Sequence, residues 1–311
     1  MTTNPDTLFH GEHQIDMSPE SFGELRESND ILDDVAALRE RMGSDGYLFL
    51  RDVLAVDRVH DARRSVLELL SREGLIDSSR PLMEGVAASG ARGNFRPELA
   101  TGNPAVEKLL YEGNMMETFE RFLGGPVRHY DYTWLRVMFP GDKYRATNPH
   151  CDVVYMGRGT HALFTAWTPF GDVPREMGGL MILEDSSKQR DTLGNYWDLD
   201  VDKYCKNGPE ATEIESGEKA WADATKGGSF DDNAARAREN VGGRWLTADY
   251  KTGDVLIFSI FTLHASINNN SDRIRISTDS RYQLASEPVD ERWIGENPSA
   301  HGPDAKIGMI C

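Results

Sequence analysis

The sequence predicts a mainly β protein with flanking helices, its core an antiparallel barrel or jelly roll. Three observations carry this expectation. After Gly125 the chain breaks into short segments rich in β-branched and aromatic residues: VRHYDYTWLRVMFPG, HCDVVYM, HALFTAWTPF, GGLMILE, GDVLIFSIFTLHASI and RIRISTDSRYQL. Turn residues, rather than regular helices, separate them, as in antiparallel barrels and jelly rolls. Before Gly125 the apolar residues instead recur at helical spacing. With 311 residues, 39% hydrophobic and 27% charged, the chain can bury a sizeable core and has an ordinary globular composition.

Residues 1–28 are polar, carry Pro5 and Pro19, and read as an N-terminal arm. Residues 29–125 read as a helical support region with one strand. Ile31, Leu32, Val35, Leu38 and Met42 lie at helical spacing after Asn29 or Asp30 as N-cap, and Gly43 and Gly46 end that helix. YLFL then reads as a strand. A second helix starts at Asp57, runs through Val59, Ala62, Val66, Leu69 and Leu70, and closes at Gly74. Residues 77–104 read as a loop. A third helix is expected from Pro104 to Phe122, ended by Gly124 and Gly125. The jelly-roll core spans 126–285, interrupted by residues 186–247. That stretch is long, polar and partly helical, with Trp197, Tyr204, Trp221 and Trp245 scattered through it, and reads as a lid over a site. Residues 286–311 form a C-terminal tail. The whole is read as one domain.

Charge and cysteine use narrow the functions. Asp and Glu number 51 against 34 Lys and Arg, a net charge of −17. That excludes a broad nucleic-acid surface, which needs clustered cations. Cys151, Cys205 and Cys311 are odd in number and far apart, which speaks against a disulfide scaffold or a thiolate zinc site. The N-terminus lacks a basic start and an apolar h-region, so no signal peptide is expected, and a cytoplasmic location is. No apolar run approaches the ~20 residues of a membrane span. The expected partner is a small-molecule substrate. Oligomeric state is not readable.

The stretch NPHCDVVY carries the chemistry. A His followed two residues later by a carboxylate is expected about once by chance in a chain with 8 His and this many acids, and His10-Gly11-Glu12 is a second case. Read as a strand, however, NPHCDVVY points His150 and Asp152 to one side. His264, before the polar turn in TLHASINNN, supplies a third ligand. Two His and one carboxylate on one face of a metal leave three positions open, the arrangement of non-haem Fe(II) oxygenases, whereas a structural zinc site takes a fourth protein ligand. A 2-oxo acid on that metal needs its far carboxylate anchored, which an Arg does bidentately. Arg275 lies eleven residues after His264, and Arg273 faces the same way in a regular strand, so spacing leaves both open. Ser266 lies on the His264 side and can donate a hydroxyl.

His150-x-Asp152, the distant His264, Ser266 two later and Arg275 eleven later resemble the pattern of the phytanoyl-CoA dioxygenase family. LRERMGSDGYLFLRDVLAVDRV, TAWTPFGDVPREMGGLMIL and TGDVLIFSIFTLHASINNNSDRIRIS agree with it, covering roughly residues 31–70, 130–185 and 249–283. The resemblance implies a double-stranded β-helix (cupin-like jelly roll) and an oxygenase using Fe(II), 2-oxoglutarate and O₂. It implies that His150, Asp152 and His264 hold the metal, that Arg275 rather than Arg273 takes the 2-oxoglutarate carboxylate with help from Ser266, and that Trp167 lines that pocket. Related halogenases carry Gly or Ala in place of the carboxylate, so Asp152 implies hydroxylation or another oxidation that begins by hydrogen abstraction. Two stretches depart from the family. Glu184-Asp185-Ser186-Ser187 replaces a Pro-Gly-Ser-His-type turn expected near the site entrance. Met177-Gly178-Gly179 replaces an Asn-Gly turn.

Other residues read blandly. His129 and His161 are expected as core or rim histidines, and the cysteines as inert. Arg136, mid-strand in WLRVMF, points either to solvent or into the barrel mouth. Arg158 and Arg175 are the only loop cations suited to the phosphates of a CoA thioester, so a small metabolite is expected instead. The rivals are a cupin-like metalloenzyme without 2-oxoglutarate and a non-catalytic binding protein on the same fold.

Overall fold

Period-2 segments between residues 127 and 284 pair into two sheets, and the helices before them cover one face. The computed structural model describes residues 7–93, 95–141, 146–204, 211–218 and 228–301. The chain runs β1 (Phe9–His10), β2 (His13–Gln14), β3 (Phe22–Glu24), α1 (Val35–Asp45), β4 (Tyr47–Leu50), α2 (Val56–Arg72), α3 (Pro104–Leu110) and α4 (Asn114–Leu123). It continues with β5 (Val127–His129), β6 (Trp134–Met138), α5 (Val153–Met156), β7 (Phe164–Pro169), β8 (Leu180–Leu183), α6 (Arg190–Trp197), α7 (Ala211–Ser216) and α8 (Ala234–Val241). It ends with β9 (Trp245–Thr247), β10 (Val255–Ser259), β11 (His264–Ser266) and β12 (Arg275–Leu284).

The larger sheet has the order β4-β10-β7-β12, with β6 and β5 end to end along the far edge of β12, all antiparallel. The smaller sheet has the order β11-β8-β9-β3. Trp167, Leu256 and Phe258 of the larger sheet pack against Leu180, Ile182 and Leu246 of the smaller one, closing one end of the jelly roll. On the outer face of the larger sheet, Ile257, Ile276 and Tyr282 meet Leu67 and Leu70 of α2 and Phe119 and Phe122 of α4. Each such fully buried side chain contributes about 2 kcal/mol. The inner face of β12 is polar: Arg275, Ser277, Asp279, Arg281 and Gln283 alternate with its outward residues and are all buried.

Several expectations need correction. The first helix begins later, at Val35, because the Asp34 carboxylate accepts from the Ala37 N–H, a better cap than Asn29 or Asp30, which lie in a short 3-10 turn. Gly43 is inside it, and Gly46, at φ 78°, ends it. The third helix is two, broken at Gly113, whose φ of 56° interrupts the helical turn. The arm is not free. Leu8, Ile15 and Phe22 are in a core cluster, and β3 pairs with β9. The tail is built in as well, since Arg292 and Trp293 are fully buried. Described parts of the 186–247 stretch are built into the fold: β9 is a strand of the smaller sheet, and Leu193, Trp197, Ala237 and Val241 are core residues. The side chain of Tyr204, and Cys205, Trp221 and Cys311, lie outside the described residues.

Candidate active site

HCDVVYM is not a strand. Only His150 pairs, in a β-bridge to His264, each backbone N–H donating to the other's carbonyl at 3.0 Å. Such a reciprocal pair sets both side chains on one face. The imidazole centroids are 4.2 Å apart. Asp152, at φ −65° and ψ −23°, opens the short helix α5, and this helical turn rather than strand alternation brings its carboxylate back to the histidines. His264 does not lie on β10, the apolar strand before it. The chain leaves the larger sheet after β10, crosses over, and delivers His264 on β11 beside Ile182. In both places polar groups at the mouth of the barrel redirect a segment whose composition favours extended pairing.

The three ligand atoms lie within 4.8 Å of one another and all three residues are buried. The His150 Nδ1 lies 2.8 Å from the Asn148 carbonyl and the His264 Nδ1 3.0 Å from that of Thr262. A carbonyl can only accept, so each Nδ1 carries the proton and each Nε2 presents its lone pair inward. Asp152 Oδ1 is 3.7 Å from His150 Nε2 and 4.0 Å from His264 Nε2. Its other oxygen accepts from the Thr165 hydroxyl and from Arg281 Nη2 at 3.0 Å. Burial, reinforced by the neighbouring His264, lowers His150 to about 3, and burial lowers His264 too, so both rings are neutral. Burial alone would raise the Asp152 carboxyl, but the Arg281 guanidinium beside it, helped by the Thr165 hydroxyl, outweighs burial and holds it well below the usual carboxylate range. Two neutral imidazoles and a fixed carboxylate form a donor set suited to a divalent ion.

Arg275 is 1% exposed. One terminal nitrogen donates to the Gly178 carbonyl at 2.7 Å, while its Nε and Nη2 are buried without partners. Trp167 Nε1 and Ser277 Oγ, on the same inner face, are also unpartnered. Such orphaned donors are costly unless a ligand satisfies them, and together they fit one end of a dicarboxylate. Trp167 lies beside the guanidinium, 5.8 Å from ring to Cζ. The Ser266 hydroxyl accepts from the Thr147 N–H at 2.7 Å and keeps its own proton to donate. Arg273 lies before β12 begins and is half exposed, so it is outside the pocket.

A cavity of about 320 Å³ opens beside His150 and Asp152. Phe95, Trp134, Tyr155, Arg136, Arg281 and His301 line much of it. Arg136 therefore faces the barrel mouth. His161 is an exposed rim residue against Phe261, and His129 stacks on Tyr111. Cys151 is buried, and burial raises its thiol far out of the reactive range. The departure at Glu184–Ser187 does not reach the cavity: the Ser186 hydroxyl accepts from the Leu263 N–H, next to His264, and so braces a ligand strand. The sequence reading missed Thr165, Arg281 and His10. Arg281 could have been found from the alternation in RISTDSRYQL, which sets it on one face with Arg275. Thr165 and His10, whose Nδ1 bonds the Ser266 carbonyl, carry no such signal.

A jelly roll that holds two histidines and a carboxylate at its mouth, with a buried arginine deeper inside, defines a non-haem Fe(II) oxygenase using 2-oxoglutarate and O₂. The chain belongs to the phytanoyl-CoA dioxygenase family, whose model matches residues 42–277. It is 25% identical over 271 residues to the 1-deoxypentalenic acid 11-beta-hydroxylase of Streptomyces exfoliatus, spanning 82% of this chain and 83% of that one. The epimerase SnoN, solved with Fe3+, alpha ketoglutarate and nogalamycin RO, shares the fold at a TM-score of 0.54 and 20% identity, over 86% of this chain and 95% of that one. So does EctD from S. alaskensis, solved with 2-oxoglutarate and 5-hydroxyectoine, at 0.53 and 16%, over 91% and 86%. Among the described residues no helix is long and apolar enough to cross a membrane.

Proposed function

We propose that the protein hydroxylates a C–H bond of a small metabolite, with His150, Asp152 and His264 as iron ligands and Arg275, Ser266 and Trp167 as the 2-oxoglutarate residues. The observation that carries the reading is the convergence of two Nε2 lone pairs and one carboxylate oxygen within 4.8 Å. The iron, once bound with 2-oxoglutarate, supplies the O₂ activation and oxidising power that no side chain here has. The chain positions and shields. Asn148 and Thr262 fix the ring orientations of the two histidines. Thr165 and Arg281 hold the far oxygen of Asp152 so that Oδ1 faces the histidines. Gly178 aims Arg275, and buried Trp134 with half-buried Tyr155 limits water near the ligands.

A carboxylate at position 152 occupies a site that a halide would need, which supports hydroxylation. A CoA thioester is disfavoured. Arg158 is paired with Asp200, and Arg175 with Glu24 and Asp249, so both candidate phosphate-binding cations are already engaged. The hydroxylase relative acts, by its name, on 1-deoxypentalenic acid, and SnoN and EctD were solved with small metabolites, which supports a substrate of that size.

The test is anaerobic titration of the protein with Fe(II) and 2-oxoglutarate, read by the weak visible metal-to-ligand charge-transfer absorption. The wild type should show the band and His264→Ala should lose it. Arg275→Ala should need about tenfold to a hundredfold more 2-oxoglutarate, the loss of charged hydrogen bonds. Iron binding without any band, in protein saturated with 2-oxoglutarate, would overturn the reading.

A further inference from the structure

We propose that the substrate is a small organic acid whose single carboxylate docks on Arg136 and Arg281, with its apolar body along Phe95, Trp134 and Tyr155. This rests on the oxygenase reading above. Strand pairing sets Arg136 of β6 opposite Ser277, on the inner face that also carries Asp279 and Arg281. Arg136 gives its Nε–H to Asp279 Oδ2 at 2.9 Å. Among the described residues its two terminal amino groups meet no hydrogen-bond partner, though the side chain is only 19% exposed and lines the cavity. Arg281 is 3% exposed. Its Nε faces the Met156 sulfur at 3.2 Å, its Nη2 holds Asp152, and its buried Nη1 has no partner among the described residues. The guanidinium lies 4.4 Å over the Trp134 ring, so a cation and an aromatic platform meet at one corner of the cavity.

Charge decides what fits there. Iron(II) and the 2-oxoglutarate dianion cancel. Asp279 offsets Arg136. Asp152 can offset only one of Arg275 and Arg281. Counted over the described residues, the assembled site keeps one positive charge beside largely buried groups, where uncompensated charge is costly. Asp152 is the only carboxylate among the described lining residues, and its oxygens are taken up by Arg281, Thr165 and the metal position, so none of those residues is left to serve a cationic substrate. A monoanion restores neutrality, whereas a cation or a phosphate dianion does not. The guanidinium fork matches a carboxylate in shape as well as in charge. The volume, about 320 Å³, suits a molecule of small-metabolite size.

The experiment is calorimetric binding to protein loaded anaerobically with Fe(II) and saturating 2-oxoglutarate. The probes are 3-phenylpropanoate and its neutral amide, 3-phenylpropanamide, alike in shape and different in charge. The acid should bind at least about tenfold more tightly than the amide. The preference should fall below about threefold in Arg136→Gln and return in part in Arg136→Lys. Equal binding of the two probes overturns the proposal, and so does no detectable binding of either up to about 10 mM, a weak-binding ceiling. Loss of 2-oxoglutarate affinity in Arg136→Gln with the acid-to-amide ratio intact also overturns it, since Arg136 would then serve the co-substrate. If either variant fails to fold, the wild-type ratio decides alone. Failure of the wild type to take up Fe(II) or 2-oxoglutarate is a separate result, which overturns the oxygenase reading and the proposal with it.

Discussion

His10 shows how far from the ligands the site is braced. Its ring bonds the Ser266 carbonyl behind β11, close to Asn148, whose own carbonyl orients His150. Burial lowers its pKa below the usual 6.5 despite hydrogen bonds that favour the charged ring. The unfolded chain therefore takes up the proton first as pH falls. Stability from this group is complete above about pH 6.5 and drains away towards the lower folded value, at up to about 1.4 kcal/mol per pH unit. Between pH 7.5 and 5.5 the metal-free wild type should lose more stability than His10→Gln, by up to about 1.4 kcal/mol, because the Gln keeps a donor but cannot titrate. Urea unfolding at the two pH values measures this, and parallel losses would show that His10 titrates normally. Arg281 works similarly at the residue scale, since the same guanidinium that keeps Asp152 ionised turns a free amino group towards the cavity corner.

At the scale of elements, the turn before β8 positions Arg275, the proposed anchor of 2-oxoglutarate. Gly178 has a φ of 83°, and a Cβ there would lie 2.5 Å from the Ile267 carbonyl oxygen. The same residue's carbonyl holds Arg275. The Met177-Gly178-Gly179 spelling is therefore a requirement of close backbone approach between this turn and the end of β11. Gly178→Ala should cost about 2 kcal/mol or more and weaken 2-oxoglutarate binding, while Gly43→Ala, inside α1 with open space around it, should be neutral or slightly stabilising. Thermal unfolding and 2-oxoglutarate titration of both variants check it. An unchanged 2-oxoglutarate affinity in Gly178→Ala would mean that the turn does not position Arg275.

Across the whole molecule, the described C-terminal segment and described parts of the 186–247 stretch are held together beside the metal end of the barrel. Arg292 is fully buried between Asp290 and Asp202 and also donates to the Tyr155 carbonyl, so one guanidinium joins the C-terminal segment, the stretch after α6 and the helix that follows Asp152. His301 bonds Asp202 from the cavity side. Tyr196 ties α6 to the ligand segment through the Cys151 N–H and to the far end of the insertion through the Gly228 carbonyl. Arg292→Leu leaves two buried carboxylates without their cation and should cost about 3 kcal/mol or more. Asp202→Asn should cost less, since Asp290 still faces the guanidinium. Urea midpoints of the two variants test the order, and a mild Arg292→Leu would show that the network is solvated.

The sequence determined most classes of element, HCDVVYM excepted, together with the order of the remaining β segments, the three candidate ligand types and the arginine eleven residues beyond the last histidine. These are local matters of composition, period and spacing, and each is written within one segment. Only the tertiary structure decided that His150 and His264 form a cross-strand pair, that Asp152 arrives on a helical turn, that Arg273 is outside and Arg275 inside, and that Arg281 stands behind the carboxylate. Ser229 of the insertion and His301 of the C-terminal segment join the cavity wall for the same reason. A polar segment reads as exposed until the partner that satisfies its buried groups is known, and Asp202, Arg292 and His10 find theirs about 90 to 260 residues away along the chain.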